Sequence, residues 1–185
     1  MYRLVSSRRQ CRLFFLLVMF QPALVPAQSS FPTPPEAPQR LFFVQRNPNT
    51  NTIVYDANTQ ENGRSFNSKQ PILVYWLRYD EQGQVAPLSY LQRTMAYGVE
   101  VRAGKRAGEF EFNVVAYPKR KLRLLMDANL RPRAELVING KPAWLNRVFI
   151  KIEGKKAGLI PDVKYVELFG TDPATGKAVY ERFVP

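Results

Sequence analysis

From Leu41 onward the apolar positions fall into short runs separated by turn-forming residues, at a spacing of roughly ten residues. Leu41–Arg46 and Thr52–Ala57 flank Asn47-Pro48-Asn49-Thr50-Asn51 and predict a hairpin. Ile72–Asp80 (ILVYWLRYD) is apolar on both faces, with Ile72, Val74 and Trp76 on one side and Leu73, Tyr75, Leu77 and Tyr79 on the other. That is the pattern of a central strand covered twice. Glu109–Tyr117 alternates instead: Phe110, Phe112, Val114 and Ala116 share one face, and Glu109, Glu111 and Asn113 share the other, which reads as solvent. Further strands are expected at Leu122–Asp127, at Glu135–Ile138 before the hairpin signal Asn139-Gly140, around the inward set Val148, Ile150 and Ile152, and at Val163–Phe169 and Ala178–Val184. Only Pro87–Gly98 departs from the strand pattern. Leu88, Leu91 and Met95 recur there at helical spacing, Pro87 suits a first turn and Gly98 a C-cap. The pattern therefore predicts an all-β, mainly antiparallel fold of about ten short strands with one short helix, as a β-sandwich or a closed β-barrel.

The chain ahead of the strands reads differently. Arg3, Arg8, Arg9 and Arg12 precede the apolar run Leu13–Phe20, and Val25-Pro26-Ala27 offers modest residues where signal peptidase reads. Residues 1–27 are expected to be a signal peptide for the general secretory route, cleaved after Ala27. A spanning helix needs about 20 apolar residues, and Gln21-Pro22 interrupts this run early. Residues 28–40, with Pro32, Pro34, Pro35 and Pro38, read as a Pro-rich linker, and 41–185 as a single β domain. The expected location is secreted or periplasmic.

That reading changes the chemistry. The single cysteine, Cys11, precedes the apolar run and leaves with the signal, so no thiol or disulfide is expected in the mature chain. The chain holds 27 basic and 15 acidic residues, a net +12; four of the basic ones lie in the signal, which leaves 23 against 15, or +8. For an exported protein this basic balance points to lipid, glycan or another anionic envelope component, and not to nucleic acid, with a solvated basic surface as the plainer explanation. No histidine is present. The Ser-His-Asp and Cys-His arrangements are thereby excluded, together with the commonest metal ligand, and no cofactor motif is found. Paired carboxylates remain, but Glu109 and Glu111 lie on the face assigned to solvent.

Two groups of residues stand out. Arg46, Arg78, Gln92 and Arg93 lie among the aromatics Trp76 and Tyr97, and arginine beside aromatic faces suits a carboxylate or phosphate. Arg78 follows Trp76 on one strand face, so the competing and favoured reading pairs it with a nearby acid such as Asp56 or Glu100. The second group is Lys119, Arg120, Lys121 and Arg123, a candidate basic surface. Its position near turns equally suits protection of sheet edges, and that reading is ahead.

Several stretches together resemble one family of small exported bacterial proteins, domain of unknown function 4833: LFFVQRNPNTNTIVYDAN (41–58), PILVYWLRYDEQG (71–83), LSYLQRTMAYGV (88–99) and KYVELFGTDPATGKAVYERFVP (164–185). The resemblance covers nearly all of the domain and implies an extracytoplasmic single-domain protein, with no activity and no catalytic residue to carry over. The reading is thus a monomeric, non-enzymatic β domain that binds an apolar or anionic ligand or an envelope component. A carboxylate-dependent hydrolase of envelope polymers is the alternative.

Overall fold

The computed structural model describes residues 31–60, 63–155 and 161–185. The expected signal, its cleavage site and Cys11 lie outside the described residues, as do residues 28–30 of the expected linker. Eleven strands and one short helix follow in chain order. They are β1 (Arg40–Arg46), β2 (Thr52–Ala57), β3 (Ile72–Arg78), β4 (Gln84–Pro87), α1 (Tyr90–Met95), β5 (Val99–Ala103), β6 (Phe110–Val114), β7 (Leu122–Met126), β8 (Pro132–Ile138), β9 (Lys141–Lys155), β10 (Pro161–Thr171) and β11 (Ala178–Phe183).

The nine-strand path runs β4-β3-β2-β1-β9-β8-β7-β6-β5, and the β10–β11 hairpin branches from β9. β9 is the hub because its fifteen residues are long enough to serve three partners. Lys141–Trp144 pair with β8, Arg147–Ile150 pair in parallel with β1, and β10 runs antiparallel from Trp144 to Lys155. The β1–β9 ladder is a parallel join between segments about a hundred residues apart. Register shifts within the β1–β2 and β9–β10 ladders bend the sheet, as bulges do by adding a residue on one side of a pair.

The result is a curled open sheet, a half-barrel. It is neither the sandwich nor the closed barrel expected from strand count. The path ends at β4 and β5, and the chain joining these two ends is Leu88–Gly98, which carries α1. Backbone bonds from Ala116 to the Ala96 carbonyl and from Val115 to the Gly98 carbonyl tie this connection to the β6 side. The Tyr55 hydroxyl of β2 reaches the Tyr97 carbonyl from the other. A helical crossover thus stands where a strand pair would have closed the barrel.

Side chains on the concave face form the core. Phe42, Ile53, Tyr55, Phe112, Leu124 and Ile138 are buried there, with Trp76 at one end and Leu168 from β10. On the convex face Gln45 is also buried, and its Nε2 donates to the Pro32 carbonyl at 2.8 Å. Phe31 packs its ring 5.4 Å from Phe149, and the Ala57 amide donates to the Gln39 carbonyl at 2.7 Å. Over Phe31–Gln39, the segment expected as a linker therefore lies along the sheet and covers outward side chains of β1 and β9.

Three local expectations are corrected. β4 is a strand where none was expected, and it ends on Pro87, so the helix begins later, at Tyr90, with Ser89 as its N-cap. Ser89 and Gln92 form a reciprocal capping box there. Within the stripe Leu88, Leu91 and Met95 only Leu88, which precedes the helix, is buried; Leu91 and Met95 are exposed. Asn113, assigned to solvent by alternation, is buried and bonded to Glu100 and Lys121.

Candidate functional site

The concave face does not fill its own interior. A cavity of about 180 Å³ lies between Phe42 and Val44 of β1, Tyr55 of β2, Leu122 of β7, Leu136 of β8, Leu145, Val148 and Ile150 of β9, Val166 and Leu168 of β10 and Phe183 of β11. Ala96 and Tyr97, just after α1, complete its wall beside Val114, and among the described residues Arg120 is the only lining side chain that carries a charge. Alternation places these residues inward on every strand, and the branched side chains of β9 and β10 leave space that the Phe42 and Tyr55 rings do not reach. Those two rings stack at 4.3 Å between centroids and 11° between planes. The wall there is flat.

Two polar devices border the cavity. The Tyr55 hydroxyl, fully buried, donates to the Tyr97 carbonyl at 2.8 Å, and burial pushes its pKa up. This bond fixes the segment after α1 against β2. At the other border Arg120 pairs with Glu181, stacks its guanidinium 4.6 Å from the Phe183 ring centre, and donates to the Val137 carbonyl. Glu181 also accepts from the Asn139 amide. Arg120's hydrogen bond, with help from Asn139, holds the Glu181 carboxyl below its ordinary value of 4.5, although partial burial pulls the other way.

The first group from the sequence is largely brought together. The Arg46 guanidinium lies 5.8 Å from the ring centres of both Trp76 and Tyr97. Those two rings meet edge to face at 5.5 Å, and Trp76 Nε1 donates to Gln92 Oε1 at 3.1 Å. Burial raises the Tyr97 pKa, and the Arg46 charge opposes the shift. Arg46 itself has a buried Nε without a hydrogen-bond partner. Arg78 does not join them. A 3-10 turn at Tyr79–Glu81 places Glu81 within reach, and Arg78 Nη1 pairs with it at 2.9 Å on the surface, with a different acid from those expected. Arg93 is exposed on α1.

The second group does not form one patch. Arg120 turns to Glu181, Arg123 bridges Glu135 at 2.6 Å and Glu109 at 3.2 Å, Lys121 donates to Asn113 at 2.7 Å, and Lys119 is exposed. Glu109 and Glu111, the pair weighed for hydrolysis, are each held by arginines, Glu109 by Arg123 and Arg106 and Glu111 by Arg102. Among the described residues no cluster of three metal-ligating side chains occurs, and no helix is long and apolar enough to cross a membrane. Apart from Tyr97 and Arg120, the residues that line the cavity were missed by sequence reasoning. Its members read as ordinary core positions, and only the interleaving of strands far apart in sequence leaves them short of filling the space.

Fold and site together define a class: a curled, open β domain with an apolar interior that holds one ion-paired arginine, Arg120, and with a second arginine, Arg46, against the lining residue Tyr97. The chain matches, over residues 42–182, the model of a family described as a domain of unknown function, DUF4833, and belongs to that family. No curated protein and no solved structure matches it.

Proposed function

We propose that this domain binds a small ligand whose apolar body occupies the interior of the half-barrel, acting after export from the cytoplasm. The observation that carries this is the cavity of about 180 Å³ with its almost uniformly apolar wall. The space opens to solvent at the mouth of the half-barrel, so an apolar guest would cover apolar surface that now faces water, worth roughly 25 cal/mol per Å².

Its size sets the guest. An apolar cavity of about 150 Å³ in T4 lysozyme stays dry and takes up benzene, so this one suits a single aromatic ring or a short acyl chain. Export is supported by the basic start and apolar run of residues 1–27. Native mass spectrometry of the protein purified from its own host tests the binding reading. A retained small molecule, released on denaturation, is expected, and bare protein in every preparation counts against it.

A further inference from the structure

We infer that Arg46 is an anion anchor at the border of this cavity, so that the ligand is an amphipathic monocarboxylate and not a neutral hydrocarbon. The inference rests on the interior being a ligand site and adds what the ligand's head must be.

Arg46 lies one step outside the cavity's lining, and three of its neighbours belong to that lining. On its own strand face the preceding residue is Val44, which lines the cavity; its register partner across the parallel β1–β9 ladder is Ile150, which lines it; and its ring neighbour Tyr97 lines it too. Two residues along a strand span roughly 7 Å, so the Arg46 backbone stands about that far along β1 from Val44 in the cavity wall.

Its surroundings are incomplete for a cation. Trp76 and Tyr97 present their rings to it, and the buried Nε finds no acceptor. No Asp or Glu among the described residues forms an ion pair with Arg46. By contrast Arg120, at the other border, is matched by Glu181. Half-buried cations are normally paired, because the interior weakens hydration without replacing it. The missing partner of Arg46 is therefore one carboxylate, supplied from outside the chain. A guanidinium meets a carboxylate through two parallel N–H donors, and flanking aromatic planes hold it for that approach. One positive charge balances a monoanion; a phosphomonoester, at about −1.5 to −2, would leave charge unmatched in this setting.

The test compares 3-phenylpropanoate with 3-phenylpropan-1-ol, which share ring and carbon chain and differ in the head, by titration calorimetry on the full chain. The acid should bind at least about tenfold more tightly near neutral pH. In Arg46→Gln the two should bind alike, with the affinity for the alcohol unchanged. On the unaltered chain the preference should also vanish as pH falls through the ligand's own carboxyl pKa, about 4 to 5, a readout that does not depend on the variant folding. Equal affinities for acid and alcohol in the unaltered chain, or a preference that survives in a folded Arg46→Gln, overturn the anchor and leave the cavity standing. Failure of both compounds to bind removes the cavity reading and the anchor with it.

Discussion

Replacing Tyr55 by Phe isolates the bond that holds the segment after α1 against the sheet. The substitution removes only the hydroxyl, so the stack on Phe42 and the volume of the wall are retained. The lost contact is one 2.8 Å bond to the Tyr97 carbonyl. A neutral hydrogen bond is worth about 1 kcal/mol net, and stranding its buried partner costs about 1–3 kcal/mol. Tyr55 is wholly inaccessible, at 0% exposure, so water can replace little of what is lost. We expect a loss of about 2 kcal/mol. Tyr75→Phe provides the control, because its hydroxyl makes a shorter bond, 2.6 Å to Asp56, on the half-exposed convex face. Arg40 keeps Asp56 paired when the hydroxyl is gone, so no buried group is stranded and the loss should stay below about 1.5 kcal/mol, the low end for a bond to a charged group. Urea unfolding of both variants measures the difference as a shift in midpoint at constant slope. A Tyr55→Phe loss equal to or smaller than that of Tyr75→Phe would refute the reasoning that burial, and not bond length, sets the worth of these hydroxyls.

Other expectations follow from the same geometry. Gly170 is buried where β10 crosses β9, and a Cβ there would lie 2.6 Å from the Trp144 carbonyl oxygen and 2.7 Å from Ile138 Cδ1; Gly170→Ala should cost about 2 kcal/mol or more in thermal unfolding. Two carboxyls should shape the acid limb. Burial alone would raise Asp127, but the Arg131 and Asn129 amides and the Arg133 guanidinium outweigh it and hold it below 3.8, while Arg120 holds Glu181 below 4.5. Depressed folded values mean that both groups stabilise above those unfolded values and lose that contribution as pH falls through the folded ones. Midpoints measured from pH 5 downward should therefore fall less steeply in Asp127→Asn with Glu181→Gln than in the parent. At the alkaline end burial and the Asp56 contact push the Tyr75 phenol up to about 12, so its contribution, complete below pH 10, is lost between about 10 and 12, and Tyr75→Phe should flatten that limb.

Strand periodicity made much of the fold legible. The boundaries of β2 coincide with the expected ones, and the Asn139-Gly140 turn has positive φ at both residues, as the two-residue hairpin requires. What could not be read depended on partners distant in sequence. The parallel β1–β9 ladder has no local signature, because Phe43–Arg46 and Arg147–Ile150 look like any two apolar segments. β4 is short, polar at Gln84 and ends in proline, all of which mark edges and not strands. The closing role of Leu88–Gly98 follows only once β4 and β5 are known to be the two ends of the path. Gly98 illustrates a right residue with a different reason. It is not a left-handed cap; it is a close approach, where a Cβ would collide with the Arg93 carbonyl. At the site, Arg46, Trp76, Gln92 and Tyr97 were legible as a group because polar and aromatic residues recur on neighbouring elements. Arg78 fell away because its neighbour Glu81 lies three residues on in a turn.

The central claim is that the apolar interior admits a ligand. A toluene titration of methyl-labelled protein followed by NMR tests it most directly, since Val44, Leu136, Val148, Ile150 and Val166 all border the space. Saturable shifts at these methyls, with the exposed Leu91 and Met95 of α1 unmoved, are the predicted result. Shifts that fail to saturate, or that centre on α1 and leave the interior methyls unchanged, would contradict it.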